Sequence, residues 1–179
     1  MRMREMCKLI FFKFKMKAYN LKILFVCMGN ICRSPTAQGV FKAKLQKSKH
    51  FDDIHVDSAG THNYHPNSPP DSRSQMHALK RGYDLSNLRA RAVKESDFEY
   101  FDFLITMDWD NRALIEQRCP PHLQHKIRGF AEFLKTSKAT VIPDPYYGDE
   151  QHFEHVLDLV EEASEGLMEF VIKRVNGHE

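Results

Sequence analysis

The sequence predicts a single α/β domain, a doubly wound sandwich in which helices flank a four-stranded, mostly parallel sheet. Three observations carry this. Short apolar runs at residues 21–26, 54–58, 101–107 and 126–128 alternate with stretches whose apolar residues recur at helical spacing. The runs at 21–26 and 101–107 are apolar at almost every position, as strands covered on both faces must be. The chain closes on a helical stripe of Phe153, Val156, Leu157, Val160, Leu167, Phe170, Val171 and Val175, long enough to cover the sheet. At 179 residues and 42% hydrophobic composition, there is material for one proper core.

The first strand, Leu21, Ile23, Leu24, Phe25 and Val26, runs directly into a tight loop, and the helix after it shows Ala37, Val40, Phe41 and Leu45 on one face. The second strand, at 54–58, ends at Ala59, Gly60 and Thr61. Residues 62–70 are loop, because Asn63, Pro66, Asn67, Ser68, Pro69 and Pro70 all break regular structure. Asp71 opens a helix that Gly82 terminates. Ser96, Asp97 and Phe98 start a short helical turn, and residues 101–107 form the third strand. Asp108 caps the helix that carries Trp109, and 126–128 form the fourth strand. A ligand in such a sheet sits at the carboxyl ends of the strands, which is where Cys27 falls.

Charge is uneven along the chain. Residues 1–20 hold Arg2, Arg4, Lys8, Lys13, Lys15 and Lys17 against Glu5 alone, whereas the whole chain is +2, so the remainder is mildly acidic. No basic face points to nucleic acid. The apolar run at 9–12 is broken by Lys13 and Lys15, has no small-residue cleavage site after it, and is far too short to span a bilayer. Residues 1–20 are expected to be a loose basic extension or a misassigned start, Met16 standing where an ordinary start would fall, and residues 21–179 the folded domain. Four cysteines, at 7, 27, 32 and 119, form no recognisable disulfide framework, which fits a reducing, cytoplasmic setting.

The chemistry is concentrated in Met28, Gly29, Asn30, Ile31, Cys32, Arg33 and Ser34, between strand and helix. The first N–H groups of a helix have no internal partner and carry the positive end of its dipole, so such a loop collects anions. Gly29 and Asn30 best tolerate left-handed backbone, which would turn successive N–H groups inward as a nest. Cys27 leaves the strand at the base of this cradle, where a thiolate is stabilised and becomes a nucleophile. Arg33 offers a planar fork that grips two oxygens of a phosphoryl group, and the Ser34 hydroxyl can hydrogen-bond the thiolate. Cys32, five residues from Cys27, can meet it as a reversible disulfide. A second element is Asp144, held between Pro143 and Pro145 on a rigid loop, where a carboxyl group can give a proton to a leaving group and then take one from water. Tyr146 and Tyr147 follow it and offer faces on which an aromatic ring can stack.

Residues 27–35, C-M-G-N-I-C-R-S-P, match throughout the signature C-x-G-N-x-C-R-S-P of the low-molecular-weight protein tyrosine phosphatases, and residues 144–147 match that family's D-P-Y-Y. The resemblance runs from about Leu21 to the C-terminus. It implies a metal-independent, cofactor-free hydrolysis of phosphotyrosine in protein substrates through a phosphocysteine intermediate, with Asp144 as general acid and base. It further implies that Asn30 and Ser58 hold the phosphate loop in shape, that Tyr64 supplies a wall of the substrate cleft, that Arg73 is structural, and that Cys32 protects the nucleophile. Leu88 departs from the family, which often has histidine there. A monomer or weak homodimer is the assembly expected.

Other classes weigh less. A thiol-dependent arsenate reductase needs resolving cysteines on a mobile segment, and only Cys119 lies downstream. Phosphoarginine phosphatases carry threonine where Ile31 stands. A phosphate-binding module without catalysis has no use for Cys27, Arg33 and Asp144 together. Neither His152 with His155 nor His122 with His125 has the further ligands a metal site requires.

Overall fold

The computed structural model describes residues 20–177, so the expected basic extension lies outside the described residues except for Asn20. Strand β1 (Leu21–Cys27) leads into helix α1 (Arg33–Gln46), then β2 (Ile54–Gly60), α2 (Ser72–Lys80), α3 (Glu95–Tyr100), β3 (Phe103–Thr106) and α4 (Trp109–Arg118). A 3₁₀ turn at Pro121–Lys126, strand β4 (Ile127–Gly129), a second 3₁₀ turn at Phe130–Phe133 and the long helix α5 (Glu150–Val175) complete it. The sheet order is β2-β1-β3-β4, with every pair parallel.

Successive side chains of a strand point to opposite faces, and β1 uses both for burial. Ile23, Phe25 and Cys27 face a core shared with Val40, Phe41 and Leu45 of α1 and Val160, Leu167 and Val171 of α5. Leu24 and Val26 face a second core with Phe98 of α3 and Ile115 of α4. This is why the run shows no alternation: the strand lies in the middle of three layers. β1 also sits centrally, between β2 and β3, so the ends of all three strands converge beside Cys27.

Helix starts follow the sequence closely. The Asp71 side chain accepts from the Arg73 N–H and opens α2, and Asp108 accepts from the Asn111 N–H at 2.7 Å and opens α4. Gly82, at φ 85°, ends α2 in the left-handed region. The third strand is shorter than the apolar run, because Phe101 closes α3 by donating its N–H to the Asp97 carbonyl. The fourth is displaced by one residue, since Lys126 belongs to the preceding 3₁₀ turn.

Gly60, last residue of β2, lies against the loop after β1. A Cβ there would stand 2.7 Å from the Met28 carbonyl oxygen and 2.8 Å from that of His62. Both are backbone atoms, so the loop itself would have to move. Gly60→Ala is therefore expected to lower unfolding free energy by about 1–3 kcal/mol, the usual range for overpacking, and to weaken inorganic phosphate binding. Denaturant titration and phosphate titration check this together, and an unchanged midpoint would show that the loop yields freely.

Candidate active site

The loop from Cys27 to Ser34 is shaped by what holds its carbonyl groups. The Cys27 carbonyl accepts from the Thr61 N–H at 2.8 Å and the Met28 carbonyl from the His62 N–H at 3.0 Å. The Ile31 carbonyl accepts from the Asp71 N–H at 2.8 Å, and the Cys32 carbonyl from the Thr36 hydroxyl at 2.7 Å. In a trans peptide C=O and N–H point oppositely. Fixing these carbonyls against the surrounding chain therefore turns the N–H groups of Met28, Gly29, Cys32 and Arg33 the other way, as an anion nest requires.

The two residues expected to adopt left-handed backbone behave differently. Asn30 does so, at φ 55°, whereas Gly29 does not. Gly29 is small for another reason: a Cβ there would lie 3.3 Å from the His65 ring, which rests against the loop. Asn30 is buried and fully used. Its Nδ2 donates to the Ser34 hydroxyl and to the Ser58 hydroxyl, each at 2.9 Å, and its Oδ1 accepts from the Arg91 N–H at 3.0 Å. Leu88, the departure noted above, packs against the main core. Replacing Asn30 by alanine removes three bonds worth about 1 kcal/mol each and leaves a methyl group in a left-handed conformation costing about 1 kcal/mol more. A stability loss of about 4 kcal/mol by thermal or chemical unfolding is expected, with phosphate affinity falling alongside. A loss under about 1 kcal/mol would mean that Asn30 does not brace the loop.

The Cys27 sulfur lies 3.1 Å from the Ser34 oxygen, and both are buried. Asn30 donates to that oxygen, so the serine hydrogen turns to the sulfur or to the Ala59 carbonyl, 3.4 Å away. Arg33 is only 1% exposed. One terminal nitrogen donates to Asp108 and to the Ile142 carbonyl at 3.2 Å, and the other to Asp144 at 2.6 Å. Its Nε is buried without a partner among the described residues. Burial alone would lower the guanidinium pKa, but Cys27, Asp144 and Asp108 around it raise it on balance, so the cation is fixed.

The cleft above this floor measures about 300 Å³, with Tyr64, His65, Tyr146 and Tyr147 as walls and rim and Asp144 beside Arg33. Tyr64 is exposed and stacks on His62, with ring centres 4.8 Å apart. Tyr146 meets Tyr147 edge-on at 5.0 Å, and Tyr147 is 98% exposed. Arg73 does more than start a helix: bound to Asp71 at 2.8 Å, it places its guanidinium over the Tyr146 ring at 5.4 Å and Phe153 at 4.7 Å. Cys32 lies under the loop, and burial pushes its thiol up to about 12. A larger hollow of about 450 Å³ between α1 and α5 holds lysine–glutamate pairs, Lys44–Glu165 and Lys135–Glu169, and no nucleophile.

The structure thus gathers Cys27, Met28, Gly29, Ile31, Cys32, Arg33, Tyr64, Asp144, Tyr146 and Tyr147 at one cleft, with Asn30, Ser34 and Ser58 beneath it. Two residues of the site were not read from the sequence. Asp108 reads in the sequence as a helix cap, and its place just after a central strand, beside the strand that ends in Cys27, is the signal that ties it to the site. His65 sits in a proline-rich loop where no sequence pattern singles it out. The surface histidines have other work: His152 lies 2.8 Å from Asp149 at the start of α5, and no group of His, Cys, Asp or Glu among the described residues is arranged to hold a metal ion.

The family model described as "Low molecular weight phosphotyrosine protein phosphatase" matches residues 22–177. A crystal structure of a protein tyrosine phosphatase from Entamoeba histolytica, with Hepes in its active site, is 42% identical and superposes with a TM-score of 0.83, covering 89% of this chain and 99% of that one. The low molecular weight phosphotyrosine protein phosphatase of Schizosaccharomyces pombe is 37% identical over 137 residues, 75% of this chain and 86% of that protein. A Bacillus subtilis relative of known structure, YfkJ, is 31% identical with a TM-score of 0.82, covering 88% and 98% of the two chains.

Proposed function

Since the chain belongs to the low molecular weight phosphotyrosine protein phosphatase family and is a hydrolase of that kind, we propose that Cys27, Arg33 and Asp144 carry its reaction. Residues 21–179 are the catalytic domain, in line with the extent of the family match. The single observation that supports this reading best is the convergence on one buried guanidinium: Arg33 closes the loop that holds Cys27 and bonds directly to Asp144.

A phosphotyrosine dianion enters with its ring between Tyr64, Tyr146 and Tyr147, and its oxygens take the loop N–H groups and the free Nε of Arg33. It also competes with Asp144 for the neighbouring guanidinium nitrogen, which frees the carboxyl group to turn to the ester oxygen. Released from Arg33, the Asp144 carboxylate takes up a proton from solvent. The Cys27 sulfur then attacks phosphorus, the P–O bond to tyrosine breaks, and Asp144 gives that proton to the departing phenoxide. Asp144 then takes a proton from water, whose oxygen displaces the sulfur and releases phosphate. Ser34 stabilises the thiolate as it leaves, and Asp108 keeps Arg33 aimed at the equatorial oxygens. Asn30 and Ser58 act through the loop they brace. Cys32 is the partner of Cys27 in a reversible disulfide, its position in the same loop supporting this. The free thiols of Cys27, Cys32 and Cys119 favour a cytoplasmic setting. The chain is read as a monomer or weak homodimer with no nucleic-acid partner, and no helix of the described residues is long and apolar enough to cross a membrane.

The test is a substrate comparison with chelator and thiol reductant present. A phosphotyrosine peptide is expected to be hydrolysed fastest, with no change on adding chelator. Faster release from phosphoarginine, or thiol-dependent arsenate reduction in its place, would overturn the assignment.

A further inference from the structure

Behind the phosphate loop, between α1, α2 and α5, lies a small cavity of about 10 Å³, a space that one water molecule fills. Cys32, Ser74 and His77 line it. The Ser74 side chain lines the same cavity as the Cys32 thiol and holds its pKa below what burial alone would give. His77 is 2% exposed and its ring lies parallel to Phe153, 5.8 Å between centres. Its Nδ1 is 2.5 Å from a Glu154 oxygen. Glu154 is itself gripped by Arg81, which also pairs with Asp158 and Glu161. These contacts hold the Glu154 carboxyl below the usual carboxylate range, His77 contributing most.

The carboxylate at Nδ1 takes the N–H of the neutral ring, and in that tautomer Nε2 is a lone-pair acceptor. That Nε2 is buried with no partner among the described residues. An unsatisfied buried nitrogen calls for an explanation, and the cavity shared with a buried thiol supplies one. We propose that the Glu154–His77 pair is a proton relay for Cys32, accepting the thiol proton through Ser74 or one water so that Cys32 can close a disulfide onto oxidised Cys27.

This rests on the disulfide role given to Cys32 above. The step balances as follows. Hydrogen peroxide oxidises the Cys27 thiolate to sulfenic acid. The Cys32 S–H bond gives its proton to His77 Nε2, the thiolate attacks the Cys27 sulfur, and the S–O bond breaks. The departing hydroxide takes that proton back and leaves as water. A base is needed because the Cys32 thiol is pushed to about 12, chiefly by burial, so only about one molecule in 10⁵ is thiolate near neutrality.

The experiment follows disulfide closure after a peroxide pulse in the full chain, by mass analysis of alkylated protein and by dimedone capture of the sulfenic acid. His77→Gln and Glu154→Gln are compared with the wild type. Closure is expected to slow about 100-fold in His77→Gln, the low end of a general base's contribution, with dimedone adduct accumulating and reduced-enzyme turnover unchanged. The pH profile separates a relay from packing. Besides Ser74, the groups facing Cys32 are Cys27, Asp71 and Asp144, and those facing His77 are Glu154 and, through it, Arg81. Without the relay, closure should rise about tenfold per pH unit toward the thiol's own pKa, whereas the wild type should rise far less steeply. Equal closure rates and slopes in all three proteins would overturn the relay. Where His77→Gln also lowers reduced turnover, Glu154→Gln decides on the same criteria. If the wild type forms no disulfide that Cys32→Ser abolishes, the redox reading beneath the relay falls with it.

Discussion

Cys27→Ser is expected to lower phosphotyrosine turnover by about 10⁴-fold or more, the scale on which removing a catalytic nucleophile acts, while inorganic phosphate still binds. The two halves of this result have different physical sources. A serine hydroxyl in the same place remains almost fully protonated, so the attacking electron pair is lost. The anion site does not depend on it: Arg33 is anchored by Asp108 and the Ile142 carbonyl, and the loop carbonyls are held by Thr61, His62, Asp71 and Thr36. Steady-state assay paired with phosphate titration reads both halves. Retained turnover would place the nucleophile elsewhere. Loss of binding together with turnover would mean that the sulfur is part of the loop's framework, since its contact with Ser34 at 3.1 Å belongs to the same network as Asn30.

Asp144→Asn is expected to cost about 10²–10⁴-fold with a poor phenol leaving group, the contribution typical of a positioned general acid, and far less with a nitrophenol that departs unassisted. An amide keeps the shape and can still be held by the loop, where the Tyr146 N–H donates to Asp144 Oδ1 at 3.1 Å. It has no acidic proton to give. The variant also loses the ion pair with Arg33, so phosphate should bind no more weakly than in the wild type and could bind more tightly. The diagnostic is the slope of rate against leaving-group pKa, which should steepen. Equal losses for both leaving groups would assign Asp144 to structure and leave the proton donor unidentified.

Much of this protein was legible from local pattern. An unbroken apolar run before a Gly-Asn turn, with a helix spacing after it, places a cysteine at a strand end whatever the rest of the chain does. Prolines on both sides of Asp144 remove its helical and sheet options by covalent geometry alone. Caps at Asp71 and Asp108 were readable because a side-chain oxygen satisfying an N–H two or three residues on is a short-range event. Even the burial of β1 on both faces follows from its composition. One choice is not settled by local pattern: Gly29 and Asn30 are both able to turn left-handed. The structure gives that geometry to Asn30, whose side chain is tied to Ser34, Ser58 and Arg91, while Gly29 leaves room for the His65 ring.

What periodicity and spacing could not supply is which distant groups share a charge. Arg33 meets Asp108 across 75 positions and Asp144 across 111. The first exists because the strand order β2-β1-β3-β4 sets the end of β3 beside the end of β1. The second exists because the Ile142 N–H, donating to the Met107 carbonyl at 2.7 Å, docks the Asp144 loop there. No residue near Arg33 encodes either. The pairing of His77 with Glu154 across 77 positions has the same origin, in the packing of α2 against α5. Composition and turn chemistry specify the cradle and the cysteine at its base because those depend on neighbours a few bonds away. Orientation of the guanidinium, the walls of the cleft and the buried relay depend on long-range packing, which is settled only when the apolar faces of separate elements are brought together.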